Sequence, residues 1–157
     1  MSDVSRKIVS NIEEPSIDEA AQYFDPRLVT PGLTILLVED DEPDAYLISR
    51  ALANNPRVAK VVVAEDGVRA LELIDSGSVR PDLAIVDLHM PRKDGFALVK
   101  DFAAKERRQF PSVILTSSAS RADAYRATDC GAVQFITKPD TTEKLAAALD
   151  CMVYSAL

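Results

Sequence analysis

At 157 residues with 47% hydrophobic side chains, the chain is long enough to build one domain with a core of its own and to leave some length over. No uninterrupted apolar run approaches the roughly 20 residues that cross a bilayer, and Asp3, Arg6 and Lys7 are followed by no apolar block, so neither a membrane span nor a secretory leader is expected. A net charge of −7 argues against a sequence-independent nucleic-acid surface, and two cysteines, Cys130 and Cys151, have neither the number nor the spacing of a disulfide framework or zinc site, which fits a reducing cytoplasm.

Residues 1–31 are polar and interrupted by Pro15, Pro26 and Pro31, so they read as an N-terminal arm, partly helical or frayed. Within it Ser16 and Glu19 have capping-box spacing, and Ile17, Ala20, Ala21 and Phe24 then share one helical face until Pro26 closes the segment. From Leu33 the pattern becomes regular. Short apolar runs predict buried strands at 34–38, 59–63, 83–86, 112–115 and 133–137. Segments with helical spacing fall between them, near 45–53, 68–74, 96–104 and 121–127, and a last one runs from Thr142 to the final residue. Alternation of this kind predicts an α/β domain over residues 32–157, a flavodoxin-like five-stranded parallel sheet in the order 2-1-3-4-5 with helices on both faces. In that order strands one and three lie side by side at the switch point, where ligands collect at the carboxyl ends.

Glu39, Asp40, Asp41 and Glu42 directly follow the first strand and Asp87 follows the third, so the topology gathers carboxylates in one place. Like charges at short range raise one another's pKa unless a cation joins them, and an all-oxygen set of two or three carboxylates suits Mg2+ or Mn2+. Each acid taken singly is equally well explained as a cap for the next helix. The fourth strand ends in Thr116, Ser117 and Ser118, and the fifth in Phe135, Ile136, Thr137, Lys138 and Pro139. A hydroxyl and an ammonium beside a metal and an aspartate are what a phosphoryl group on Asp87 needs, so the set reads as a phosphoryl-acceptor site.

The ordered motifs resemble the receiver domain of bacterial two-component response regulators, over about residues 33–157. They are Glu39 and Asp40; Asp87 with Met90, Pro91, Asp94 and Gly95; Thr116; and Lys138 with Pro139. The resemblance implies that Asp87 takes a phosphoryl group from a phosphohistidine on a sensor histidine kinase or histidine phosphotransfer protein. It implies a magnesium held by Glu39 or Asp40, by Asp87 and by the backbone carbonyl of His89, with Lys138 on the phosphoryl oxygens. Thr116 would swing to bond one of those oxygens, and Phe135 would rotate inward as the switch aromatic. Four consecutive acids leave open which two face the metal; Glu39 and Asp40 fit best because they abut Val38. His89, two residues past the acceptor, leaves the lifetime of the phosphoryl group open.

His89 is the single histidine, so the chain is expected to receive phosphoryl groups rather than to donate them, and with no residues after the last helix its output is expected to be a protein contact. A phosphate-independent adaptor on the same fold is the alternative. An aspartate-nucleophile phosphatase of the haloacid-dehalogenase type fits less well, because its second aspartate is replaced by His89. A flavin carrier would need a Ser/Thr-rich phosphate loop after the first strand. The last helix carries Leu145, Leu149, Met152, Val153 and Leu157 among alanines and few polar residues, so a homodimer through it is expected, with the arm as the other available cover.

Overall fold

The computed structural model describes residues 32–104 and 110–157, so the arm and its expected helical face over residues 16–24 lie outside the described residues. The elements are β1 (Leu33–Val38), α1 (Glu42–Ala53), β2 (Val58–Ala64), α2 (Gly67–Asp75), β3 (Leu83–Val86), α3 (Gly95–Phe102), β4 (Ser112–Thr116), α4 (Arg121–Cys130), β5 (Gln134–Thr137) and α5 (Thr142–Ser155). All strand pairs are parallel and the sheet order is β2-β1-β3-β4-β5, the order expected from the alternation.

Period-two alternation along the strands sorts the core into two layers. Ile35, Leu37, Leu83, Ile85, Val113 and Leu115 face α1 and α5, where Ile48, Leu52, Leu149, Met152 and Val153 close over them. Leu36, Val38, Ala84, Val86 and Ile114 face α2, α3 and α4 and meet Ala70, Phe96, Leu98, Val99, Phe102 and Ala127. The central strand β3 is buried on both faces, which is why it reads in sequence as an unbroken apolar run. Among the described residues no helix is long and apolar enough to cross a membrane.

Helix boundaries follow the caps. α1 begins at Glu42, three residues before the apolar periodicity does, because the Asp41 side chain accepts a hydrogen bond from the Asp44 amide and Pro43 fits the first turn. α4 continues to Cys130 because Gly131, at φ 103°, supplies the left-handed residue that ends it.

The last helix departs from its expected character. Leu149, Met152 and Val153 all point into the sheet and α1, and Leu145 and Ala156 pack beside them, so the large aliphatic side chains occupy one face. The exposed apolar positions of the helix are Ala147, Cys151 and Tyr154, the last with its ring 4.7 Å from the Arg57 guanidinium. Alanine makes the composition apolar while adding little area, so the outer face is less greasy than the residue count implies.

Candidate functional site

The strand ladder fixes the backbone of each residue on the carboxyl rim. Val38 pairs with Ala64 on one side and Val86 on the other, so Glu39 and Asp87 leave adjacent strands at the same level. The Glu39 amide donates to the Ala64 carbonyl at 3.1 Å and the Asp87 amide to the Val38 carbonyl at 3.0 Å. Across the sheet Thr116 pairs with Thr137, and the Lys138 amide donates to the Thr116 carbonyl at 2.7 Å.

This register brings carboxylate oxygens of Glu39, Asp40 and Asp87 within 4.8 Å of one another. Glu39 and Asp87 are buried, whereas Asp40 is exposed. The other two acids of the run belong to the start of α1. Asp41 caps the helix and donates its own amide to Glu39 Oε1 at 3.2 Å, and Glu42 is the exposed first helical residue. Helix capping and site chemistry therefore divide the run between them.

Lys138 Nζ lies 2.7 Å from Glu39 Oε2, 2.9 Å from Asp44 Oδ2 and 3.8 Å from Asp87 Oδ2. Asp44 escaped the sequence reading, although it is a further acid just beyond the run already singled out and occupies the third position of α1. Its partner stands 94 residues away, and no local pattern reports such a pairing.

Burial pushes the Glu39 carboxyl up to about 7, with the Asp87 charge adding to the rise and the hydrogen bonds from Lys138 and from the Asp41 amide opposing it. Burial would depress the Lys138 ammonium, but the hydrogen bonds to Glu39 and Asp44 outweigh it and hold the group above its ordinary value. A carboxyl that is costly to ionise, grouped with two more acids in an all-oxygen set, fits a divalent cation, which would remove the repulsion that Lys138 offsets only in part. A cleft of about 360 Å³ between α1 and α2, lined by Glu39, Asp40, Val63 and Arg69, lies beside the group.

The loop from Asp87 to Gly95 is drawn tightly under the rim. A Cβ on Gly95 would stand 2.4 Å from the Asp87 carbonyl oxygen and 2.9 Å from Leu88 Cα, so only glycine lets α3 begin there. Asp94 caps that helix through a 2.8 Å bond from the Phe96 amide. Arg92 holds the left-handed conformation at φ 68° and reaches Asp66, the buried cap of α2, at 3.3 Å. His89 is exposed.

Thr116 is fully buried, and its Oγ1 accepts a 3.3 Å hydrogen bond from the Ser118 amide. Phe135 pairs in register with Ile114 and packs, half-buried, on the α2–α4 layer. Thr116 follows Ile114 by two residues, so its side chain leaves the same face of the sheet as Phe135.

Comparison with known proteins places residues 35–150 on the model of the response regulator receiver domain family. The chain is 33% identical over 122 residues to the response regulator MprA of Mycobacterium ulcerans, a match covering 78% of this chain and 50% of that protein. It is 32% identical over 108 residues to a protein-glutamate methylesterase/protein-glutamine glutaminase of Anaeromyxobacter dehalogenans, covering 69% of this chain and 30% of the relative. The chain thus spans half or less of the length of these relatives. Among solved structures, the phosphorylated cyanobacterial phytochrome response regulator RcpA superposes with a TM-score of 0.74 at 28% identity, covering 80% of this chain and 94% of that one. The Mn2+-bound response regulator Rcp1 shares the fold, with a TM-score of 0.70 at 24% identity over 78% of this chain and 93% of its own.

Proposed function

The chain belongs to the response regulator receiver domain family, and from that premise we propose that it is a phosphorylation-dependent signalling switch with Asp87 as its phosphoryl acceptor. The observation that carries this reading is the placement of a buried Asp87 between an acidic group and a single ammonium, with Glu39 and Asp40 within 4.8 Å and Lys138 Nζ at 3.8 Å. The phosphorylated state of RcpA supports it by analogy.

In the proposed transfer an Asp87 carboxylate oxygen attacks phosphorus, the phosphorus–nitrogen bond of a partner's phosphohistidine breaks, and the imidazole nitrogen leaves with the electron pair and takes up a proton. The partner is a sensor histidine kinase or a histidine phosphotransfer protein. Lys138 neutralises developing charge on the phosphoryl oxygens, and the Thr116 hydroxyl turns to donate to one of them. Glu39, Asp40, Asp87 and the His89 carbonyl would hold Mg2+ or Mn2+, which supplies further positive charge to those oxygens. Thr116 and Phe135 share one face of the sheet, so rotation of the hydroxyl frees the space that Phe135 takes up. The changed α4–β5–α5 surface then meets an output protein. Asp87 is the destination of the group, so the protein takes part in its own phosphorylation without acting on a separate substrate.

Residues 32–157 form the receiver unit in this reading and residues 1–31 an arm outside it, and the protein works in the cytoplasm with its kinase. A homodimer through α5 is part of the same proposal. Exposed Tyr154 on α5, Leu157 just past its end and Val133 beside β5 supply the apolar contact. Sedimentation of wild type and Tyr154→Glu at high micromolar concentration tests it: a dimer that dissociates in the variant is expected, and a monomer in both removes the dimer. The switch itself is tested by intact mass after incubation with phosphoramidate and Mg2+. One added phosphoryl group, lost when chelator is in excess, is the expected result, and an unchanged mass would leave a phosphate-independent adaptor.

A further inference from the structure

Lys138 is the ammonium that a phosphoryl group on Asp87 requires, yet its two shortest contacts are to Glu39 and Asp44. We propose that Asp44 is a positioning residue for Lys138: it holds the ammonium in the unmodified protein and releases it when Asp87 is phosphorylated. This inference rests on the phosphoacceptor reading of Asp87.

Geometry makes the side chain of Lys138 the part that moves. Its backbone is tied to the Thr116 carbonyl at 2.7 Å. Asp44 cannot follow it far, because the Asp41 cap fixes its amide and α1 is anchored through the buried Ala45, Ile48 and Leu52. Exposure then decides which partner is given up. The side chains of Glu39 and Asp87 are 1% and 9% exposed, whereas that of Asp44 is 43% exposed. A buried carboxylate left alone pays its full desolvation cost, but water takes over the solvation of Asp44 once the lysine leaves. A phosphoryl group adds negative charge next to an ammonium already 3.8 Å from Asp87, so the balance shifts toward the acceptor. Asp44 stands on α1 and Lys138 on the loop before α5. The exchange therefore carries the charge on Asp87 to the α1–α5 face, opposite the face that holds Thr116 and Phe135.

The test compares initial rates of phosphoramidate labelling, at saturating Mg2+, for wild type, Asp44→Asn, Asp44→Glu, Lys138→Ala and the double variant Asp44→Asn/Lys138→Ala. Removing the competing charge should speed labelling about two- to fivefold, the scale of a partly exposed ion pair. Asp44→Glu should stay near the wild-type rate. In the Lys138→Ala background the Asp44→Asn ratio should fall to one, a loss that a merely structural role of Asp44 would not produce. Normal labelling of wild type with an equal or slower rate in Asp44→Asn, or the same ratio with and without Lys138, overturns the inference alone. Wild type that takes no label overturns the phosphoacceptor reading and this inference together.

Discussion

The raised carboxyl of Glu39 would make the proposed metal binding at the acidic group a proton-coupled event near neutrality. Its value moves from 4.5 to about 7, chiefly because the side chain is buried. Below that value the carboxyl is neutral, so a divalent ion must displace a proton as well as compete with Lys138 at 2.7 Å. One proton titrating near 7 is almost fully dissociated at pH 8 and almost fully bound at pH 6, which predicts about a tenfold weaker Mg2+ affinity at the lower pH. Isothermal titration across this range measures the affinity, and repeating it in buffers of different ionisation enthalpy measures the proton released. Glu39→Gln should weaken binding at all pH values and flatten the profile. The same carboxyl sets a stability trend in metal-free protein. A folded-state value above the unfolded one contributes stability that is complete below about 4.5 and lost as the pH rises through about 7. The shift corresponds to a few kcal/mol at most. Lys138, held charged by the same pair, contributes a constant term across this window because its value lies above it. Denaturant midpoints of the metal-free protein should therefore fall from pH 5 to pH 8 and recover on adding Mg2+. An affinity that is flat between pH 6 and 8 in wild type, or a slope unchanged in Glu39→Gln, would refute the reasoning.

Gly95→Ala places a methyl group 2.4 Å from the Asp87 carbonyl oxygen, so the acceptor loop must shift; we expect a loss of about 1–3 kcal/mol in denaturant unfolding together with slower labelling. Wild-type stability and rate in that variant would show that the loop is not held as described. Thr116→Ala removes a buried hydroxyl bonded to the Ser118 amide and should accept phosphate yet fail to change partner affinity. Equal affinity shifts on phosphorylation in wild type and Thr116→Ala would break the proposed coupling to Phe135. Met152→Glu buries a charge against Ile48 and Leu149 and should unfold the domain, which makes the exposed Tyr154 the informative place to probe association.

The sheet was legible because its central strands are buried on both faces and so appear as unbroken apolar runs between turn residues. β3 is the clearest instance, with four buried residues leading straight into Asp87 and the Pro91–Gly95 turn. Parallel order followed from the helical segments between the runs, since each crossover needs that length. Two kinds of feature were not legible. The acidic run was legible only in part: Glu39 and Asp40 stood out because they abut Val38, and they are the two that join Asp87, but that Asp41 and Glu42 begin a helix was not separable from site chemistry, because capping and metal binding draw on the same residue types. Asp44 was passed over because its role comes from a contact with Lys138 across the fold, and helical spacing within α1 carries no trace of it. The character of α5 was overstated for a different reason. Counting apolar residues weights Ala147 like Leu149, although only the direction and size of each side chain determine the area left uncovered.

The central claim, that Asp87 is the acceptor of the phosphoryl group, is tested most directly by comparing intact masses of wild type and Asp87→Asn after identical exposure to phosphoramidate and Mg2+. The amide is nearly isosteric with the carboxylate but a poor nucleophile, and the backbone of residue 87 remains tied to the Val38 carbonyl, so the fold is expected to persist, as circular dichroism would verify. The account predicts one added phosphoryl group on wild type and none on the variant; equal labelling of a folded Asp87→Asn protein would contradict it.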